Sequence, residues 1–172
     1  MRAGRKKLVW ASFIAAIGLL ATLRWVLVPY RVTGPSMEPT LLAAGDIVLV
    51  NRLAYLRRGP ERWDVVVIER EGRDNIKRVV ALPGETLEIR DGGILVNGSP
   101  LDLPVALRAR AIVSKEAFGR GPVHLGGSEY FLLGDGGYVS RDSRAWGPIE
   151  STDFRGKAVA ILWPWARLGA LE

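Results

Sequence analysis

The chain has 172 residues, with 24 Lys and Arg against 18 Asp and Glu, a net charge of +6, one histidine and no cysteine. Four of the basic residues (Arg2, Arg5, Lys6, Lys7) fall in the first seven positions, which leaves 24 − 4 = 20 basic against 18 acidic side chains elsewhere. The excess charge therefore marks one tail and excludes a nucleic-acid-binding face, while the missing cysteines exclude disulfides, thiol catalysis and Cys/His zinc sites.

The basic tail, residues 1–7, precedes an apolar run from Leu8 to Leu23, followed by Arg24 and WVLVPY. As helix, residues 8–23 reach about 24 Å, and extension to Val28 gives about 32 Å, enough for a bilayer core of about 30 Å. Arg24 would snorkel to the far interface beside Trp25 and Tyr30. A cleaved signal peptide is the rival, but LRWVLVPY has no small-x-small site after the apolar core. Residues 8–28 are thus expected to be a retained single-pass anchor. The positive-inside rule puts the N-terminus in the cytoplasm and residues 29–172 outside.

Residues 34–41, GPSMEPTL, follow. A serine in a proline-rich turn is ordinarily only a hydroxyl. Here Pro35 and Pro39 fix φ on either side of Ser36, and Gly34 permits close approach of another chain. The amides of Gly34 and Ser36 are free to converge on one point, an arrangement suited to an oxyanion. The segments DIVLVNRLAY, DVVVIER, NIKRVVALP, TLEIR and ILVNG then read as strands, with Asp91-Gly92 and Asn97-Gly98 as turns of a hairpin arm. In NIKRVVALP, strand alternation sets Lys77 with Val79 and Ala81 on one face and Arg78 with Ile76 and Val80 on the other. An edge lysine reaching solvent stays charged. A buried one loses charge, and a pKa near 8 costs about 3 kcal/mol of differential solvation.

Residues 92–129 are read as an excursion from the main sheet, and 105–118 are ambiguous between helix and strand. The lone His124, in PVHLGG, is the only residue that could serve a Ser-His-Asp triad, so a nucleophilic Ser36 would take a lysine or a carboxylate as base. YFLLGD is a further strand. GDGGYVSRDSRAWGP forms a loop in which Asp142 and Arg144 are spaced to pair, and Ser140 offers a hydroxyl that could hold a lysine amine. KAVAILWPW closes the sheet, with Trp163 and Trp165 either in the core or resting on lipid. Short strands at this spacing predict a mainly β protein, an antiparallel β-sandwich or barrel carrying one N-terminal transmembrane helix.

In order along the chain, GPSMEPTL, GDIVLV, KRVVALPGE and GDGGYVSRDSRAWG resemble the bacterial type I signal peptidases, the Ser-Lys leader peptidases. The hairpin TLEIRDGGILVNGSPL and the N-terminal anchor are similar too. The resemblance implies Ser36 as nucleophile, Lys77 as general base and Ser140 as the serine orienting the lysine. It makes Asp142 and Arg144 the ion pair behind the site, which Arg78 joins. Tyr30, Val32, Met37, Leu41, Ile47 and Ile76 correspond to two shallow apolar pockets for small residues. The oxyanion falls to the Ser36 amide and a donor near Gly34, where no serine hydroxyl is available. The chain departs from the family at Gly136, which usually is asparagine.

The resemblance implies removal of signal peptides from exported preproteins after Ala-x-Ala sites, at the inner membrane. No cofactor, metal or nucleic acid takes part; the partners are signal peptides and the lipid bilayer. A dedicated conjugation or pilus processing peptidase would use the same chemistry. A self-cleaving Ser-Lys repressor would carry a DNA-binding domain in place of the anchor. A non-catalytic tethered β-domain would tolerate loss of Ser36 or Lys77.

Overall fold

The structure, a computed structural model, describes residues 10, 12–18, 24–90, 93–108 and 121–171. The basic tail, parts of the 8–28 segment, the Asp91-Gly92 turn and residues 109–118 lie outside the described residues. Trp10, residues 12–18 and residues 24–26 are helical. No helix among the described residues is long and apolar enough to cross a membrane.

The first strand begins earlier than the sequence suggests. Leu27 and Val28, read as the end of the anchor, already belong to β1 (Leu27–Arg31), which pairs antiparallel with β2 (Ile47–Asn51) from Leu27↔Asn51 to Arg31↔Ile47. β1 lies at the end of its sheet, which is why Pro29, with no N–H to donate, is tolerated inside it. The main sheet continues through β11 (Phe154–Trp163), β3 (Val65–Arg70), β4 (Arg73–Ala81), β9 (Glu129–Leu133) and β10 (Ile149–Glu150). The short β12 (Gly169–Ala170) pairs with β11. A second sheet holds β5 (Thr86–Arg90), β6 (Gly93–Val96), β7 (Ser99–Pro100) and β8 (Val123–His124).

The described pairings are antiparallel, in a mainly β protein with little helix. The main sheet runs from β1 to β10 as its two ends, so two sheets sharing a core replace the closed barrel. The excursion opens at Thr86 rather than residue 92, because β5 itself belongs to the second sheet, and it ends before Glu129, where β9 returns to the main one. Asn97 and Gly98, both at positive φ, turn the chain between β6 and β7; that is the conformation an Asn-Gly pair favours.

Val65, Val66, Val67 and Ile68 are all buried. Alternation sends Val65 and Val67 to a cluster with Val32, Met37, Leu41, Val48 and Val50, and Val66 and Ile68 to one with Val79, Leu132 and Ile149. Each such burial is worth about 1.5–3 kcal/mol, so β3 is clamped from both faces. A third cluster, with Val80, Ala81, Leu87, Ile94 and Phe131, welds the second sheet to β4 and β9. A register shift between Val79 and Ala81 lets β4 serve both layers. It also takes Ala81 off the face that Lys77 shares with Val79, a departure from strict alternation.

Candidate active site

Pro35 opens the short 3-10 turn Pro35–Met37 at a position where its missing N–H costs nothing. Met37 and Leu41 bury in the cluster beneath, and Leu41 N–H donates to Met37 O at 2.8 Å, so the loop is pulled down onto the sheet. Ser36 is thereby held at the wall of a groove of about 280 Å³, between Tyr30–Gly34 on one side and Arg73–Lys77 on the other.

Lys77 reaches Ser36 from β4. Its Nζ lies 2.8 Å from Ser36 Oγ and 2.9 Å from Ile76 O, while the Trp146 ring stands 5.9 Å from the nitrogen. The residue is only 3% exposed. Burial pushes the ammonium pKa down to about 8; the Arg73 charge lowers it too, and the Asp142 and Asp135 carboxylates oppose the shift. A lysine at 8 is neutral in about a tenth of molecules at pH 7, roughly 300-fold more than an unperturbed one. The chemistry available to this pair is proton transfer from a hydroxyl to an amine.

The loop from Gly134 braces the serine from behind. Gly136 N–H donates to Ser36 O at 2.9 Å. A Cβ at Gly134 would overlap Ser36 O and Ser140 Oγ, and one at Gly136 would stand 2.6 Å from Pro35 O. Glycine is needed at both because another backbone lies in van der Waals contact. Asp142 accepts from Gly134 N–H at 2.9 Å and pairs with Arg144 at 2.8 Å, and Arg144 also donates to Gly137 O at 2.5 Å. Asp142 caps the single helical turn Ser143–Trp146 as well, accepting from Arg144 N–H. Arg78 clasps Asp135 through two nitrogens, at 3.0 and 2.8 Å, and donates to Trp63 O. Thr40 donates to Asp135 from the serine loop. Asp135 thus ties the loops holding Ser36 and Ser140 to the strand holding Lys77.

Residues 5–163 match the family described as signal peptidase, peptidase S26. The chain belongs to that family. It is 31% identical over 169 residues to the probable signal peptidase I-2 of Synechocystis sp., covering 93% of this chain and 74% of that protein. It is 31% identical to the signal peptidase I of Leptolyngbya laminosa (96% and 81% covered) and to the signal peptidase IB of Staphylococcus aureus (89% and 86%). A crystal structure of a signal peptidase I from Enterococcus faecalis V583 is 29% identical, covering 58% of this chain and 97% of that one, with a TM-score of 0.48.

In this signal peptidase family chain, Ser36, Lys77, Gly34, Tyr30, Val32, Met37 and Ile76 all line the one groove. Leu41 and Ile47 do not. Leu41 is fully buried in the cluster below, and Ile47 pairs with Arg31 and Trp163 within the sheet. Charged residues line the groove as well: Arg31, Arg73, Asp74 and Arg141. The Tyr30 hydroxyl pKa is raised, by burial first and then by the Asp74 carboxylate across the groove. Arg78 takes Asp135 as its carboxylate, where the sequence suggested it joins the Asp142–Arg144 pair. Ser140 does not hold the lysine in this conformation: its Oγ is buried against Gly134 without a hydrogen-bond partner, and the amine is already engaged by Ser36 and Ile76. His124 sits in β8 of the second sheet, bonded to Thr86. Asp135, Thr40 and Trp146 went unnoticed in the sequence; the acid between two glycines, right after an apolar strand, was the available signal for Asp135.

Proposed function

We propose that the chain is a membrane-bound endopeptidase that removes signal peptides from exported preproteins after small-x-small sites. The reading is carried by the 2.8 Å approach of a dry Lys77 amine to the Ser36 hydroxyl in a groove of about 280 Å³. Neutral Lys77 takes the Ser36 proton as Oγ forms a bond to the scissile carbonyl carbon. The amides of Ser36 and a donor near Gly34 hold the resulting oxyanion, an effect of about 3–4 kcal/mol in comparable sites. The Lys77 ammonium then protonates the departing amine as the C–N bond breaks. In the second half Lys77 deprotonates a water, which attacks the ester and returns Ser36. Tyr30, Val32, Met37 and Ile76 shape the apolar floor that admits only small side chains.

Residues 8–26 serve as the anchor, two residues shorter than the 8–28 span because β1 begins at Leu27, with residues 1–7 in the cytoplasm and the β domain outside. Trp10, Phe13, Ile14 and Ile17 are each more than half exposed on their helix, as a lipid-facing segment requires. Trp163 and Trp165 are exposed as well and meet edge to face at 5.7 Å, which favours a lipid contact over a core role. The test is cleavage of a preprotein with an Ala-x-Ala site by the full chain in detergent, beside Ser36→Ala and Lys77→Met. Wild type cuts at that site, and each variant loses activity on the order of 10⁴-fold or more. Equal cutting by all three rules the assignment out.

A further inference from the structure

The loop between β2 and β3 carries exposed apolar side chains that no part of the peptidase chemistry uses. From Arg52 to Pro60 it reads RLAYLRRGP, with three arginines and no acid. Leu53 is 48% and Leu56 73% exposed, and together with Ala54, Arg57 and Arg58 they line a shallow concavity. Arg52, Arg57 and Arg58 are exposed around them; Arg58 pairs with Glu61. Two bare leucines next to exposed arginines do not suit bulk water. They suit a surface that is apolar below and anionic at its rim.

The position of the loop identifies that surface. Arg52 N–H donates to Val26 O at 2.9 Å, so the loop begins against the residue where the N-terminal segment enters the domain, beside Trp25, which is 74% exposed. At the opposite end of β2, Ile47 pairs with Trp163. Asn51 and Ile47 are four residues apart, about 13 Å along a strand. The two exposed apolar groups, Trp25 with Leu53 and Leu56 at one end and Trp163 with Trp165 at the other, thus flank one stretch of the β1–β2–β11 sheet. The first of them holds the arginines of the loop.

We propose that the 52–58 loop docks on an anionic bilayer surface, seating Leu53 and Leu56 in the headgroup layer with Arg52, Arg57 and Arg58 on lipid phosphates. The inference rests on the membrane-tethered reading above. It adds a second, charge-selective contact that fixes how the catalytic groove lies over the membrane once the anchor is inserted. Each arginine near an anionic surface strengthens the contact by about fivefold.

The chain contains no cysteine, so Leu56→Cys gives a single site for a spin label. The full-length protein is reconstituted in phosphatidylcholine vesicles with and without phosphatidylglycerol. Label exposure to oxygen and to a water-soluble nickel complex is then read on the vesicle-bound fraction, with a label at exposed Val105 as control. The expected result is a Leu56 label shielded from nickel and open to oxygen in phosphatidylglycerol vesicles. The docked-to-free ratio should fall about fivefold for each of Arg57→Gln and Arg58→Gln, and the Val105 label should stay wet throughout. A Leu56 label as wet in phosphatidylglycerol vesicles as in detergent overturns the docking. So does a label already shielded in detergent, as burial against a second copy or another protein would give. An alkaline carbonate wash separates the two claims: release of the chain refutes the anchor, whereas a retained chain with a wet label refutes only the loop contact.

Discussion

Replacing Lys77 with methionine should abolish cleavage and yet stabilise the protein near neutral pH. Methionine fills nearly the same volume without a charge. The lysine pKa falls from 10.5 to about 8 on folding, which is worth about 3 kcal/mol. Below pH 8 the amine is charged in both folded and unfolded chains, and the folded state bears that whole penalty. Between pH 8 and 10.5 the folded protein sheds its proton while the unfolded chain keeps it, so wild-type stability rises with pH across that window. Above 10.5 the penalty is gone. Methionine escapes the penalty but leaves Ser36 Oγ and Ile76 O without the amine, at a cost of about 1–3 kcal/mol. The variant should therefore gain up to about 2 kcal/mol at pH 7 and be the less stable protein at pH 10.5, the difference swinging by about 3 kcal/mol. Urea unfolding of the detergent-solubilised chain, followed by tryptophan fluorescence at steps from pH 7 to 10.5, measures that difference, and titrations common to both proteins cancel. A difference that stays constant over the whole range would show that the amine is not held at a depressed pKa, and the reasoning about the base would fail.

Trp146→Ala should open the amine to water and move the rising limb of the kcat/KM–pH profile upward, toward the ordinary lysine range. Trp146→Phe should restore the profile, since the ring rather than the indole N–H covers the nitrogen. Gly136→Ala should lower kcat more than it raises KM, with about 1–3 kcal/mol lost in stability, because the new Cβ pushes on Pro35 O next to Ser36; steady-state kinetics and a thermal melt check both. Asp135→Ala leaves Arg78 buried without its carboxylate and should cost about 3–5 kcal/mol, readable as a lowered urea midpoint.

Much of the site was legible because its signals are local. Prolines on either side of Ser36, an apolar run enclosing Lys77, and Asp142 two residues from Arg144 each act over a few positions; alternation put Lys77 on the Val79 face but left open whether that lysine is buried, which the packing of β4 decides. β2, β3, β4, β9 and β11 of the main sheet were legible for the same reason, as apolar, largely β-branched runs between turn residues, whereas the two-residue β10 and β12 were not. What escaped depends on distant partners. That Leu27 and Val28 form a strand is decided by β2, twenty residues on, while their own composition fits a membrane helix equally well. Arg78 and Asp135 are 57 positions apart, and no local pattern pairs them. Leu41 and Ile47 carry the right side chains for a pocket wall, but the fold of the 35–41 loop turns Leu41 down into the core, and Ile47 falls outside the lining of the groove. The bulge after Val79 likewise reflects two sheets sharing one strand, which periodicity within β4 does not reveal.

The central claim is that a neutral Lys77 removes the Ser36 proton. Its most direct test is single-turnover acylation by a preprotein, quenched in acid at successive pH values, with the acyl group located by mass spectrometry. The account predicts an adduct on Ser36 whose formation rate climbs about tenfold per pH unit and levels off near pH 8, with no adduct in Lys77→Met. An adduct on any other residue, or a Ser36 acylation rate indifferent to pH between 6 and 8, would contradict it.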